Sequence, residues 1–268
     1  MENLLAVNPV AFHIGNRPIY WYGIIIAFAM IVVIIVATLF CKKKGISKDL
    51  PFTLAIIAIP MGIIFGRLFA CLFDAGLDLS DYFNFSTGGM SIIGAVIGGA
   101  LGLLIYALMT KTKDILLIFD ITASVLLLAQ AIGRWGNFFN GEVYGQVIES
   151  TSIWAKFPFA VEINGTYYQA LFFYECVLNL IGFIFTSIVF FKSKRSGLTV
   201  STYLIYYGTV RTILEPLRQS EYVYMLGKIR LSQALSILMI VIGVILLFVC
   251  ANKRIKNDTE NEVKNEKK

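Results

Sequence analysis

Histidine is nearly missing from this chain: His13 is the only one in 268 residues. That all but excludes a zinc site, and with it any histidine-dependent chemistry away from that position. Cysteine is sparse and scattered. Cys41, Cys71, Cys176 and Cys250 lie far apart, in or beside apolar segments, with no Cys-x-x-Cys pair. They read as small packing residues, and neither a disulfide framework nor a metal site is implied. Charge is the third scarcity. Only 15% of residues are charged, 57% are hydrophobic, and the mean hydropathy is +0.75. A soluble domain of this size does not have that balance, so the class is polytopic helical membrane protein. No nucleotide motif and no convincing internal repeat is present. Met1 to Arg17 is polar and mixed rather than basic then apolar, so no cleaved signal peptide is expected.

What the chain has instead is apolar length. Seven segments stand out, at about 18–40, 50–73, 91–109, 115–138, 169–191, 198–217 and 231–250. Lys42, Lys43, Lys44 and Lys48 follow the first, Lys111 and Lys113 the third, Lys192, Lys194 and Arg195 the fifth, and Lys253, Arg254 and Lys256 the seventh. The opposite loops carry Asp74, Asp78, Asp81, Glu142, Glu149 and Glu162. The positive-inside rule then predicts an all-α bundle of seven transmembrane helices, N-terminus outside and C-terminus cytoplasmic. This distribution also explains the net charge of +6 as topology rather than a nucleic-acid groove. Residues 1–250 read as one membrane-embedded domain. Residues 140–168 are expected to form a small extracytoplasmic cap, with a hairpin centred on Asn164-Gly165. Residues 251–268 read as a charged, disordered cytoplasmic tail.

Polar groups inside the apolar segments are few and placed together. The run Gly133-Arg134-Trp135-Gly136-Asn137-Phe138-Phe139-Asn140-Gly141-Glu142-Val143-Tyr144-Gly145 closes the fourth span. A plain helix end has no need of a guanidinium, two amides and a carboxylate among glycines. At membrane depth such groups face a polar cavity or one another. Arg67, Arg134 and Arg211 all fall in the outer half of their spans, a shared depth that suits an anionic head group; forked guanidinium donors match phosphate. Tyr207, Arg211, Glu215 and Arg218 are spaced four, four and three apart, along one helix face. That face reads either as intrahelical ion pairs or as part of the anion site. Glu175 enters the fifth span beside Tyr174 and is a candidate to orient an arginine. Asp120 lies in the other half of the fourth span and reads as a buried structural acid or the partner of another group. Tyr20-Trp21-Tyr22-Gly23 reads as an interfacial aromatic belt or, at Tyr22, as a ligand-lining position. Gly94, Gly98 and Gly102 fall four apart in the third span, for close helix contact or close approach to a lipid.

The run that closes the fourth span resembles the signature of the prolipoprotein diacylglyceryl transferase family, of the form G-R-x-G-N-F-x-N-x-E-x-x-G. Gly133, Arg134, Gly136, Asn137, Phe138, Asn140, Glu142 and Gly145 fill it. The resemblance extends to Trp21-Tyr22-Gly23, Gly88-Gly89-Met90-Ser91, Tyr174-Glu175, Tyr207, Arg211, Glu215 and Arg230-Leu231-Ser232-Gln233, and so covers the chain to about residue 250. It implies a multi-pass enzyme of the bacterial plasma membrane. Such an enzyme moves the diacylglyceryl group of phosphatidylglycerol to the lipobox cysteine of a lipoprotein precursor, with a thioether formed and glycerol phosphate released. It implies no cofactor and no nucleic-acid partner. By the same resemblance Arg134 and Arg211 hold the phosphate and stabilise the leaving group. Asn137, Asn140, Glu142 and Glu215 order the site, Tyr22 and Tyr207 line it, and Gly145 belongs to the binding set.

Two departures bear on mechanism. Ile93 stands where the family commonly has histidine or tyrosine, and Gln169-Ala170 replaces a frequent His-Pro pair. A histidine base for the thiol is therefore not expected. Either the arginine field lowers the thiol pKa from about 8.5, or Glu142 or Glu215 takes the proton. The first is favoured, because carboxylates beside arginines are weak bases. The departures also leave open a divergent paralogue, and the arginines alone would equally serve a transporter of lipids or organic anions, though without the expected repeat.

Overall fold

The computed structural model describes residues 8–73, 77–84, 89–112, 114–219, 225–226 and 229–266; Asp74, Gly88 and Lys113 lie outside them. Seven α-helices dominate: α1 (Trp21–Lys43), α2 (Leu50–Phe73), α3 (Ile92–Met109), α4 (Ile115–Asn140), α5 (Leu171–Lys192), α6 (Leu198–Leu214) and α7 (Leu231–Glu266). Six are long and apolar enough to cross a membrane, α7 over Leu231–Asn252. The seventh, α6, has only 17 residues and carries Arg211 near its end. Ile31, Ile35 and Leu39 on α1, and Ile184 and Phe185 on α5, are each more than half exposed. Apolar surface of this extent on closed helical backbone suits hydrocarbon rather than water. The chain is mostly helical and has the make-up of a polytopic membrane protein.

The chain divides into two compact units, residues 34–121 and residues 1–33 with 122–268. In the first, α2 and α3 meet along the glycine stripe. A Cβ at Gly94 would lie 2.4 Å from the Phe65 carbonyl oxygen, and one at Gly98 would lie 2.3 Å from that of Met61. Close helix contact accounts for the stripe. Ser91 starts α3 by accepting a bond from Gly94 N, and Asp114 starts α4 by accepting one from Leu117 N at 3.1 Å, each capping an otherwise unpaired amide.

Arg67, also in this unit, is 1% exposed. Its guanidinium donates to the main-chain carbonyls of Gly89, Asp81 and Asn84, each at 2.7 Å. Depth in the span groups it with Arg134 and Arg211, but its partners are the turns that join α2 to α3. Arg67→Met removes three charge-assisted bonds to loop carbonyls, a loss on the order of 3 kcal/mol. The expected result is a lower detergent melting temperature with faster proteolysis between α2 and α3; unchanged cleavage there would show that the loop closes without Arg67.

The second unit opens with a hairpin that the sequence reading lacks, β1 (Val10–Ile14) against β2 (Arg17–Tyr20). It feeds directly into α1, whose first amide, Trp21 N, donates to Pro9 O at 3.0 Å. Between α4 and α5, the strands β3 (Val147–Ile148), β4 (Ala160–Ile163) and β5 (Thr166–Gln169) form a sheet in the order β3-β5-β4. The β4–β5 hairpin turns at Asn164 (φ 50°) and Gly165 (φ 80°), the two positive angles that a tight primed turn requires. After α6 come a 3-10 turn, Glu215–Leu217, and a short ribbon of β6 (Met225–Leu226) and β7 (Ile229–Arg230) that leads into α7.

Candidate active site

α4 and α5 run antiparallel, and their facing residues set where the polar groups meet. Phe172 at the start of α5 packs on Phe138 and Trp135 near the end of α4, with ring centroids 5.0 and 5.5 Å apart. This aromatic clamp brings Arg134 opposite Glu175, and the two form an ion pair at 2.5 Å. Glu175 is 1% exposed and is the hub of the site. It also receives Arg211 at 3.1 Å and Arg218 at 3.3 Å. A second carboxylate, Glu215, takes Arg211 at 2.8 Å through the i,i+4 spacing and lies 3.9 Å from Arg218 Nε. The helix-face spacing thus yields real ion pairs, although α6 itself ends at Leu214 and Glu215 opens the 3-10 turn.

Glu215 is also tied to the last helix. Ser232 Oγ bonds its Oε1, and Arg230 donates to its main-chain carbonyl at 2.6 Å. From the other side, Arg134 donates to Asn137 Oδ1 at 3.3 Å, and Asn137 Nδ2 donates to Glu142 at 2.9 Å. Asn140, the last residue of α4, donates to the same oxygen of Glu142 at 3.3 Å. Left-handed Gly141 (φ 66°) lets the chain turn back so that Glu142 can meet both amides. Arg134 is the joint of two knots, one of amides and Glu142, the other of three guanidiniums around Glu175.

Tyr207 lies near Arg134 and stacks on Tyr203, ring centroids 5.7 Å apart. Tyr22, the second residue of α1, packs against Gly136, where an added Cβ would come 2.6 Å from its ring. Gly145 donates its amide to Gln169 O at 2.9 Å, and a side chain there would strike Gln169 and Leu171. Packing inside the protein alone therefore requires a glycine at 145. Every residue anticipated for the site belongs to this unit, and six of the nine (Arg134, Asn137, Asn140, Glu142, Arg211 and Glu215) are joined in the two knots by hydrogen bonds or ion pairs.

Among the described residues, four guanidiniums (Arg134, Arg211, Arg218 and Arg230) face three carboxylates (Glu142, Glu175 and Glu215). The surplus is positive, in surroundings where an unbalanced charge is costly. Arg218 registers this: burial and nearby Arg211 lower its pKa against the pull of Glu175. Sequence reasoning gave Arg218 only a place on a face, and Glu175 only a possible orienting role. It had no use for Ser232 and Arg230 beyond the family resemblance; their signal was a hydroxyl and a cation opening an otherwise apolar span.

Residues 9–249 match the family model described as prolipoprotein diacylglyceryl transferase. A phosphatidylglycerol--prolipoprotein diacylglyceryl transferase of Clostridium kluyveri is 37% identical over 245 residues, which is 89% of this chain and 94% of the relative. One from Clostridium botulinum (strain Langeland) is 36% identical over 249 residues, 90% of this chain and 96% of the relative. With a match of this extent, and with Arg134, Asn137, Asn140 and Glu142 of the signature drawn into one hydrogen-bonded network, the chain belongs to the prolipoprotein diacylglyceryl transferase family.

Proposed function

We propose that this protein transfers the diacylglyceryl group of phosphatidylglycerol to the lipobox cysteine of lipoprotein precursors at the bacterial plasma membrane. The observation that carries the reading is the surplus of buried guanidiniums around Glu175 and Glu215. It is a site for a phosphate, and the lipid phosphate becomes the leaving group. In the reaction the cysteine sulfur forms a bond to the glyceryl carbon, the carbon–oxygen bond to phosphate breaks, and glycerol phosphate departs with the electron pair. Arg134 and Arg211 stabilise the charge that gathers on it. Asn137 and Asn140 hold Glu142, and Tyr22 and Tyr207 line the approach. Of the carboxylates, Glu175 and Glu215 are engaged by guanidiniums, while the hydrogen bonds of Glu142 come from neutral amides. Glu142 is therefore better placed than Glu215 to receive the thiol proton where the arginine field alone does not release it.

The same reading takes α6 as a seventh span, with the N-terminus outside and the C-terminus cytoplasmic. The α6 helix is about 26 Å long at ~1.5 Å per residue, and the 3-10 turn extends it. Lysines and arginines at Lys42–Lys44, Lys192–Arg195 and Lys253–Lys256 support the orientation. The β3-β5-β4 sheet then serves as a cap on the outer side of a domain that ends near residue 250, ahead of a charged tail.

The test is transfer in detergent micelles from labelled phosphatidylglycerol to a lipobox peptide, beside the same peptide with serine for cysteine. Label is expected on the cysteine peptide alone, reduced at least ~100-fold in Arg134→Ala and Arg211→Ala, as for loss of a charge-stabilising donor. No transfer where a known transferase works would refute activity on this substrate pair.

A further inference from the structure

One turn beyond the ion network lies a second polar layer to which the mechanism assigns no task. Asn179 follows Glu175 by four residues on the inward stripe of α5 and is fully buried (0% exposed). Among the described residues, neither its Oδ1 nor its Nδ2 has a hydrogen-bond partner. Gln130 precedes Arg134 by four residues on α4. Its Nε2 donates to Tyr203 Oη at 3.0 Å, and its Oε1 is likewise buried without a partner among the described residues.

The register of the two helices puts these amides at one level. The Arg134–Glu175 pair fixes the register of the antiparallel helices at one end. Leu127 sets it at the other, with its Cδ1 2.8 Å from where a Gly182 Cβ would be. Between those two contacts, Gln130 on α4 and Asn179 on α5 occupy opposed positions. Unpaired amide groups in a membrane helix are expensive. Two of them at one level, beside the guanidinium cluster, suit a ligand rich in hydroxyls rather than in charge. A hydroxyl both donates and accepts, so it can pair Oδ1, Nδ2 and Oε1 in turn.

We propose that Asn179 and the Gln130 carbonyl form a hydroxyl-reading layer that binds the glycerol head group while its phosphate sits in the arginine cluster. The assignment rests on the reading of the protein as a phosphatidylglycerol-dependent transferase. It makes the lipid's diol, and not only its charge, a condition of efficient transfer. A site built around buried hydrogen-bonding groups rejects an analogue without the matching hydroxyls, because those groups are then left unpaired.

The experiment compares kcat/KM for phosphatidylglycerol and for phosphatidylethanol, an anionic phosphodiester whose head group has no hydroxyl, with the full chain in micelles. The wild type prefers phosphatidylglycerol by about tenfold or more. In Asn179→Leu that ratio falls about tenfold, toward unity. Gln130→Met carries the same readout should the leucine variant fail to fold. A ratio unchanged in the folded variants would overturn the proposal, as would a wild type with no preference, and would leave the two amides to buried water. Transfer from neither lipid by the wild type overturns the transferase reading itself, a result separable from a lost preference.

Discussion

Glu175→Gln lowers transfer at least ~100-fold and destabilises the protein by roughly 3–5 kcal/mol, the range for removing one partner of a buried ion pair. The size follows from how many cations share this carboxylate. Arg134, Arg211 and Arg218 converge on it at 2.5, 3.1 and 3.3 Å. Glutamine keeps the shape but withdraws the charge, and its NH2 group points donors at guanidiniums that have none to accept with. The three cations are then left facing one another, and their geometry for a phosphate is lost along with the balance. Glu175→Asp keeps the charge one methylene short and recovers part of the activity. Transfer rate and detergent melting, measured together, check both effects. If the glutamine variant retained half of the wild-type rate, Glu175 would not be the centre of the site.

Gly98→Ala is the second large effect, and it lies in the other unit. The added methyl would sit 2.3 Å from the Met61 carbonyl oxygen and 2.6 Å from Phe65 Cβ. Neither atom is the free end of a side chain, so α2 and α3 must part. Overpacking of this kind costs typically ~1–3 kcal/mol and more where backbone is struck; the upper end is expected here. Gly99, one residue on, is the internal control, because its Cβ would meet only Ala58 O at 3.8 Å. The expected outcome is a large fall in melting temperature and membrane yield for Gly98→Ala, with Gly99→Ala close to wild type. Equal behaviour of the two would mean that the glycine stripe is not a packing seam.

Much of this was legible in the residues. The helices lie within a few residues of where apolar runs put them, and the hairpin at Asn164-Gly165 turns where its two residues allow positive φ. The helix-face spacing of Arg211 and Glu215 became an ion pair. What was not legible depended on partners remote in the chain. Glu175 is one acid in an apolar run, and nothing in its spacing says that it collects arginines from α4, from α6 and from the turn beyond. Arg67 has the same depth in its span as Arg134, yet loop carbonyls claim it. Depth can be counted along a helix; a partner on another element cannot. The opening β1–β2 hairpin was missed because Gly15-Asn16, its turn, lies among residues without sustained alternation.

The convergence on Glu175 also sets an order of events during synthesis. Arg134 enters the bilayer first, on α4, before any of its acidic partners on later helices exists. The arrival of α5 supplies Glu175 and a neutral pair. Only with α6 and the turn after it do Arg211, Glu215 and Arg218 complete the assembly, and Arg230 in β7 and Ser232 in α7 then fasten it. A chain stopped before α6 therefore holds a balanced pair with no positive surplus. On the proposed reading the capacity to attract a phosphate is acquired late, with the last quarter of the polypeptide, so a truncated product is expected to be inert toward lipid rather than partly active.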